Sequence, residues 1–154
     1  MVVDIVFRRV RTPAERAAAR RVLAATRNAY RSPHTAGEPD WSGLWDLTAE
    51  DGTAPVAVAA TAGLSRLVLE VRGLAAARGS AMWERLVREL ADAGRAHGVE
   101  WMVAGADCPH AMILLRRNGF VDAAALPGHS GFAAAVGAGG LPAGDAVVWL
   151  AREI

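Results

Sequence analysis

The amino-acid sequence predicts one mixed α/β domain whose central sheet is mostly antiparallel and flanked by helices. Three observations predict it. Segments with strand patterning alternate with segments of helical periodicity instead of gathering in separate halves. At 154 residues the chain suffices for one domain with a proper core, and no repeat or second domain interrupts it, so the domain spans 1–154. With 53% hydrophobic and 21% charged residues, the composition is that of a folded chain.

The elements follow in order. "DIVFRRVRT" alternates as a strand, with Ile5 and Phe7 on one face. Thr12 caps a helix over "PAERAAARRVLAATRNAY", with Pro13 at the first helical position and Glu15 at the third, a capping-box arrangement. "RSPHTAGEPDWSG" reads as a loop. "LWDLTAE" and "PVAVAATAG" read as a hairpin around the turn dipeptide Asp51-Gly52. "SRLVLEV" is nearly continuous in apolar residues, as an interior strand is. In "GSAMWERLVRELADAGRAHG", Met82, Leu86, Leu90 and Ala93 recur at helical spacing. Glu84 and Arg88 stand four apart on its wet face, and His97-Gly98 ends it. "VEWMVAGAD" is a strand. "CPHAMILLRRNGF" is a short helix capped by Cys108 and stopped by Asn118-Gly119. "FVDAAAL" and "DAVVWLAREI" are the last two strands, joined by a long Ala/Gly/Pro-rich connection.

Composition excludes several functions. A net charge of +1 gives no footprint for nucleic acid or an anionic membrane. All 17 basic residues other than histidine are arginine, which rules out a lysine nucleophile or Schiff base. One cysteine excludes an intrachain disulfide and a cysteine-rich zinc site, and no metal is expected. No apolar run approaches the roughly 20 residues that span a bilayer. The start lacks the apolar core of a signal peptide, so a cytoplasmic location is expected.

Four stretches carry a resemblance. "LEVRGLA", "GSAMWERLVRELADAGRAHGVEWM", "AMILLRRNGF" and the terminal "VVWLAREI" resemble, in order and spacing, segments of the GNAT superfamily of acyl-CoA-dependent N-acyltransferases. Ala111, Leu114, Gly119 and Phe120 match that family's A-x-x-L-Y-x-x-x-G-F segment. The resemblance implies a GNAT-like domain in which two neighbouring strands splay to admit an acyl-pantetheine arm. It also implies a strand-to-helix turn, R/Q-x-x-G-x-G/A, whose N–H groups wrap the CoA pyrophosphate at a helix N-terminus. The chain departs from that pattern. Counted back from Gly79, the R/Q position is Leu74 and the middle glycine is Ala77. Aligned instead on "VRGLA", the turn is about six or seven residues short. The tyrosine that often protonates the leaving thiolate is Leu115.

By that resemblance Leu74, Ala75, Arg78, Gly79, Ser80 and Ala81 are the candidate cofactor-binding residues. Gly79 and Ser80 read equally as an ordinary helix cap, and Arg78 as a solvated loop arginine. Glu70 is a candidate general base, or a carboxylate paired with Arg72 or Arg66. Cys108, at an expected helix N-terminus, and His110 are candidate catalytic residues, or a small cap and its neighbour. Trp41 and Trp45 are candidates for the wall of an acceptor pocket, or core, and Phe132 for the tip of a lid.

The leading expectation is an N-acyltransferase that moves an acyl group, acetyl first, from acetyl-CoA or another acyl-CoA to the amine of a small molecule. The alternatives are a divergent protein of this fold with another donor (aminoacyl-tRNA or a carrier-bound thioester) and a non-catalytic binding module. A homodimer through the C-terminal strands is expected from the resemblance; a membrane partner is not.

Overall fold

The computed structural model describes residues 4–34, 37–48, 54–142 and 147–154. β1 (Ile5–Arg9) leads into α1 (Pro13–Ala25), whose start is built as the sequence dictates. Thr12 Oγ1 accepts the Glu15 N–H at 3.1 Å, and the Glu15 carboxylate accepts the N–H groups of Thr12 and Arg11 at 3.3 and 2.9 Å. The Arg11 amide, and then the Arg8 guanidinium, hold the Glu15 carboxyl below its usual range against a smaller opposing effect of burial. The far end of α1 is closed from outside the helix. The Arg31 guanidinium donates to the carbonyls of Leu23, Ala24 and Thr26, the groups a helix C-terminus leaves unpaired.

β2 (Tyr30–Arg31), β3 (Asp40–Asp46), β4 (Ala57–Gly63) and β5 (Val68–Ala76) follow, then α2 (Ser80–Ala96), β6 (Trp101–Ala106) and α3 (Pro109–Arg117). β7 (Val121–Asp122), the short α4 (Phe132–Val136) and β8 (Val148–Glu153) complete the chain. The strands form one sheet in the order β1-β3-β4-β5-β6-β8-β7, with β2 set beside β5. Every pairing is antiparallel except β5 with β6.

Alternation along the strands sorts two faces. Ala57 and Ala59 of β4, with Met102 and Ala104 of β6, join Leu86, Leu90 and Leu115 in a core beneath α2 and α3. Val58 and Ala60 pack with Trp41 and Ala19 under α1, and Trp101 and Val103 pack with Phe132 and Ala135 under the 123–142 segment. α1 lies so close to β5 that a Cβ on Gly73 would stand 2.8 Å from Leu23 Cδ2.

Two irregularities of β5 position the site. Its register with β4 shifts so that Ala60 faces Gly73 while Thr61 faces Val71, which leaves Arg72 as the extra residue of a bulge. Its parallel ladder with β6 ends at once: Val68 pairs with Trp101, Leu69 with Met102 and Glu70 with Val103. Past the bulge that edge of β5 is taken by β2, with Tyr30 opposite Leu74 and Arg31 opposite Gly73.

Several expectations change. The stretch read as a loop contains Arg31 of β2 and the first four residues of β3, because its buried Trp41 belongs to the core under α1. β5 runs on to Ala76, so only residues 77–79 connect it to α2. The strand expected after Phe120 ends at Asp122, whose side chain accepts the Ala124 N–H and starts a 3-10 turn. Glu84 and Arg88 form no ion pair; Arg85 and Glu89 do, at 3.8 Å. The Asp51-Gly52 turn lies outside the described residues.

Leu86 is fully buried, whereas Thr12 acts only through its cap. In urea unfolding, Leu86→Ala is expected to lose about 2–5 kcal/mol and Thr12→Ala about 1 kcal/mol.

Candidate functional site

Glu70 is the last β5 residue paired with β6, so it marks the apex of the divergence. It is wholly buried, and its carboxylate has two partners. Arg72 Nε–H donates to Oε1 at 3.1 Å, and His34 Nδ1–H donates to Oε2 at 2.7 Å. Arg72 lies two residues along β5, so strand alternation puts it on the same face as Glu70. β2 delivers His34 from the other direction, because Ser32 N–H donates to the Arg72 carbonyl at 2.9 Å and extends the β2–β5 pairing towards it. A buried carboxylate is tolerated only with such compensation. With Nδ1–H committed to Glu70, Nε2 of a neutral His34 is the basic atom. The His34 side chain is 26% exposed, and Trp149 stands edge-on to its ring at 6.3 Å.

The opening between β5 and β6 is filled by Tyr30. It is fully buried, and its hydroxyl donates to the Gly105 carbonyl of β6 at 2.5 Å. Burial drives its pKa far above the ordinary tyrosine value, so it stays protonated and keeps that bond.

Beyond Tyr30, at the wide end of the divergence, lies a cavity of about 370 Å³. Its floor is the N-terminus of α2, where Gly79 and Ser80 bring free backbone N–H groups. Gly79 has φ +101°, a conformation that leaves the turn little choice but glycine. Arg27 comes from the end of α1 and Arg117 from the end of α3; among the described residues neither has an ion pair. Trp83 also lines the cavity, and its buried indole N–H has no partner among the described residues. Glu84 is the acidic member of the lining. The positive end of a long helix, two unpaired guanidinium groups and a spare N–H together favour an anion.

The other sequence candidates disperse. Leu74 and Ala75 are buried residues of β5 itself, and Ala81 is exposed in the first turn of α2. Arg78 turns towards β3, where its guanidinium donates to Asp46 at 2.8 Å. Hydrogen bonds from Thr48, and then the one from Arg78, hold the Asp46 carboxyl down at about 2. Cys108 and His110 are exposed at the start of α3, and neither makes a side-chain hydrogen bond among the described residues. Trp41 packs under α1, and Trp45 carries the Arg8 guanidinium 4.1 Å above its ring; both lie on β3, one strand removed from β5. Phe132 packs edge-on against Trp101 at 5.1 Å, inside the core under the 123–142 segment. His34 is the functional candidate that the sequence did not single out. No helix among the described residues is long and apolar enough to cross a membrane.

A depressed carboxyl stabilises the fold above its unfolded pKa and loses that contribution as pH falls through the folded one. The Asp46 contribution is therefore complete above about pH 4 and is lost on the way down to about pH 2. Asp46→Asn is expected to flatten the melting temperature in that acid window, as read by thermal scans across pH.

No family model and no curated protein sequence matches the chain. Solved structures do match. An IAA acetyltransferase from Bacillus cereus covers 98% of this chain with 100% of its own at 13% identity and a TM-score of 0.58. A Desulfovibrio desulfuricans protein assigned to the GNAT family covers 97% with 99% of its own, at 18% identity and a TM-score of 0.64. A GNAT family acetyltransferase from Elizabethkingia anophelis, with acetyl-CoA bound, covers 97% with 98% of its own at 9% identity and a TM-score of 0.58. From end to end, the chain has the GNAT fold.

Proposed function

We propose that the protein is an acyltransferase that moves an acyl group from an acyl-CoA, acetyl-CoA first, to the amine of a small molecule. The observation that carries this reading is the Glu70–His34 pair at the apex where β5 leaves β6. A buried carboxylate fixes the tautomer of a partly exposed imidazole and leaves its outer nitrogen as the proton acceptor. In this reading Nε2 takes the proton from the attacking amine. Glu70 stabilises the imidazolium that results, and Arg72 holds the carboxylate in place. Both Glu70 and His34 are then required, which extends the role expected for Glu70 alone.

The described residues fit the donor in part. Its diphosphate suits the cavity formed by Gly79, Ser80, Arg27 and Arg117. Its thioester arm does not fit while Tyr30 and Arg31 hold the edge of β5. Acyl-CoA, when bound, would supply the activated acyl group; the steps assigned to this chain are anion binding and proton transfer.

A second reading, a binding module that transfers nothing, is favoured by two observations. β2 closes the opening, and Leu115, at the position of the family's tyrosine, is wholly buried.

Thermal melting separates the two. Acetyl-CoA at about a hundredfold excess over its Kd stabilises by about 2.7 kcal/mol. No shift at millimolar acetyl-CoA would sink the donor assignment. The paired substitution Arg27→Ala/Arg117→Ala is expected to weaken binding about tenfold or more, since it removes two charge-assisted contacts. His34→Gln and Glu70→Gln are each expected to lower kcat by about 10²–10⁴-fold, with the affinity for acetyl-CoA little changed.

A further inference from the structure

We propose that β2 is a gate standing where the donor's thioester arm must lie, so that arm and strand compete for one backbone edge of β5. This rests on the acyl-CoA reading and specifies how that site is regulated.

At and past the bulge, β5 turns the Arg72 carbonyl and the peptide groups of Leu74 towards the side that β6 no longer reaches. Buried peptide groups must be paired. In this structure residues 30–32 pair them: Tyr30 opposite Leu74, Arg31 opposite Gly73, and Ser32 N–H on the Arg72 carbonyl. Tyr30 also reaches across to the Gly105 carbonyl, so one residue occupies both walls of the opening. The open cavity begins beyond it, at Asn28, Arg27 and the α2 N-terminus.

An arm that carries amide groups offers the donors and acceptors that β2 now provides. It can replace the strand bond for bond, as a peptide adds to a sheet edge. A plain hydrocarbon arm would leave the edge of β5 unpaired and is excluded at that cost. Gate and base lie on one segment, because His34 follows Ser32 by two residues and is bound to Glu70; in the open state that bond stays made, as the anchor about which residues 30–32 swing off the edge of β5. Arg31 ties the same segment to the end of α1. The gate is thus held shut, and the apparent affinity for the arm is lowered by the fraction of molecules in which it is open.

Two variants test this, with acetyl-CoA compared against 3′-phosphoadenosine diphosphate, the half of the donor that has phosphates and no arm. Affinities are read by calorimetry. Tyr30→Phe removes the bond to Gly105 and is expected to tighten acetyl-CoA about tenfold, with the arm-free nucleotide unchanged. The second variant joins the cross-strand partners as Arg31→Cys/Gly73→Cys in a Cys108→Ser/Leu23→Ala background, Leu23 being cut back because its end would meet a Cβ at position 73. Oxidised, it is expected to bind acetyl-CoA no better than the arm-free nucleotide, and reductant is expected to restore the difference. Unchanged or weaker acetyl-CoA binding in Tyr30→Phe overturns the gate. Equal acetyl-CoA affinity in the oxidised and reduced double variant also overturns it, while the donor reading survives. If neither ligand binds any form, the donor reading fails and the gate with it.

Discussion

One extra residue in β5 governs the middle of this protein. Parallel strands normally stay paired along their length, and burying an unpaired edge is costly. The bulge at Arg72 turns β5 away from β6 after three shared positions, so two backbone edges are left open inside the fold. Everything around the site answers that opening. β2 pairs one edge, the Tyr30 hydroxyl takes a carbonyl of the other, and the charge of Glu70 sits at the point where they part.

The arginines show the same division of labour. The sequence holds 17 of them with a net charge of only +1, which suggests nothing about any particular one. In the fold, several are committed to structure. Arg31 closes a helix, Arg72 compensates Glu70, Arg78 is held by Asp46, and Arg8 joins Glu15 and stacks on Trp45. Arg27 and Arg117, one at the end of α1 and one at the end of α3, face the cavity without an acidic partner among the described residues. A place at the cavity, with no acidic partner among the described residues, sets these two apart from the arginines committed to structure.

Much of the scaffold was legible because it is local. The spacing of Leu86 and Leu90 made α2, and Thr12, Pro13 and Glu15 made the start of α1. Pro109 and Asn118-Gly119 bounded α3. The brevity of residues 77–79 was visible as one of two registers. The site was less legible because it is not local. Two residues of β2 are too few to show a period, and their strand character comes from the unpaired edge of β5. His34 and Glu70 are 36 residues apart, and only β2 brings them together. Arg78 looked available from its loop; its acceptor lies on another strand. Trp41 and Trp45 looked like pocket walls by the resemblance, but on β3 Trp41 packs under α1 and Trp45 is buried beneath Arg8.

The complete burial of Glu70 has a consequence for how the chain finds its structure. Its compensating groups come from different places, Arg72 from two residues along the same strand and His34 from the segment after β2. A slip of one residue in the β2–β5 pairing would turn the segment that carries His34 to the opposite face and leave the buried carboxylate without that partner. The carboxylate therefore acts as a proofreading device for strand register. Misaligned folds are penalised at this single atom group, whatever chemistry the finished site performs.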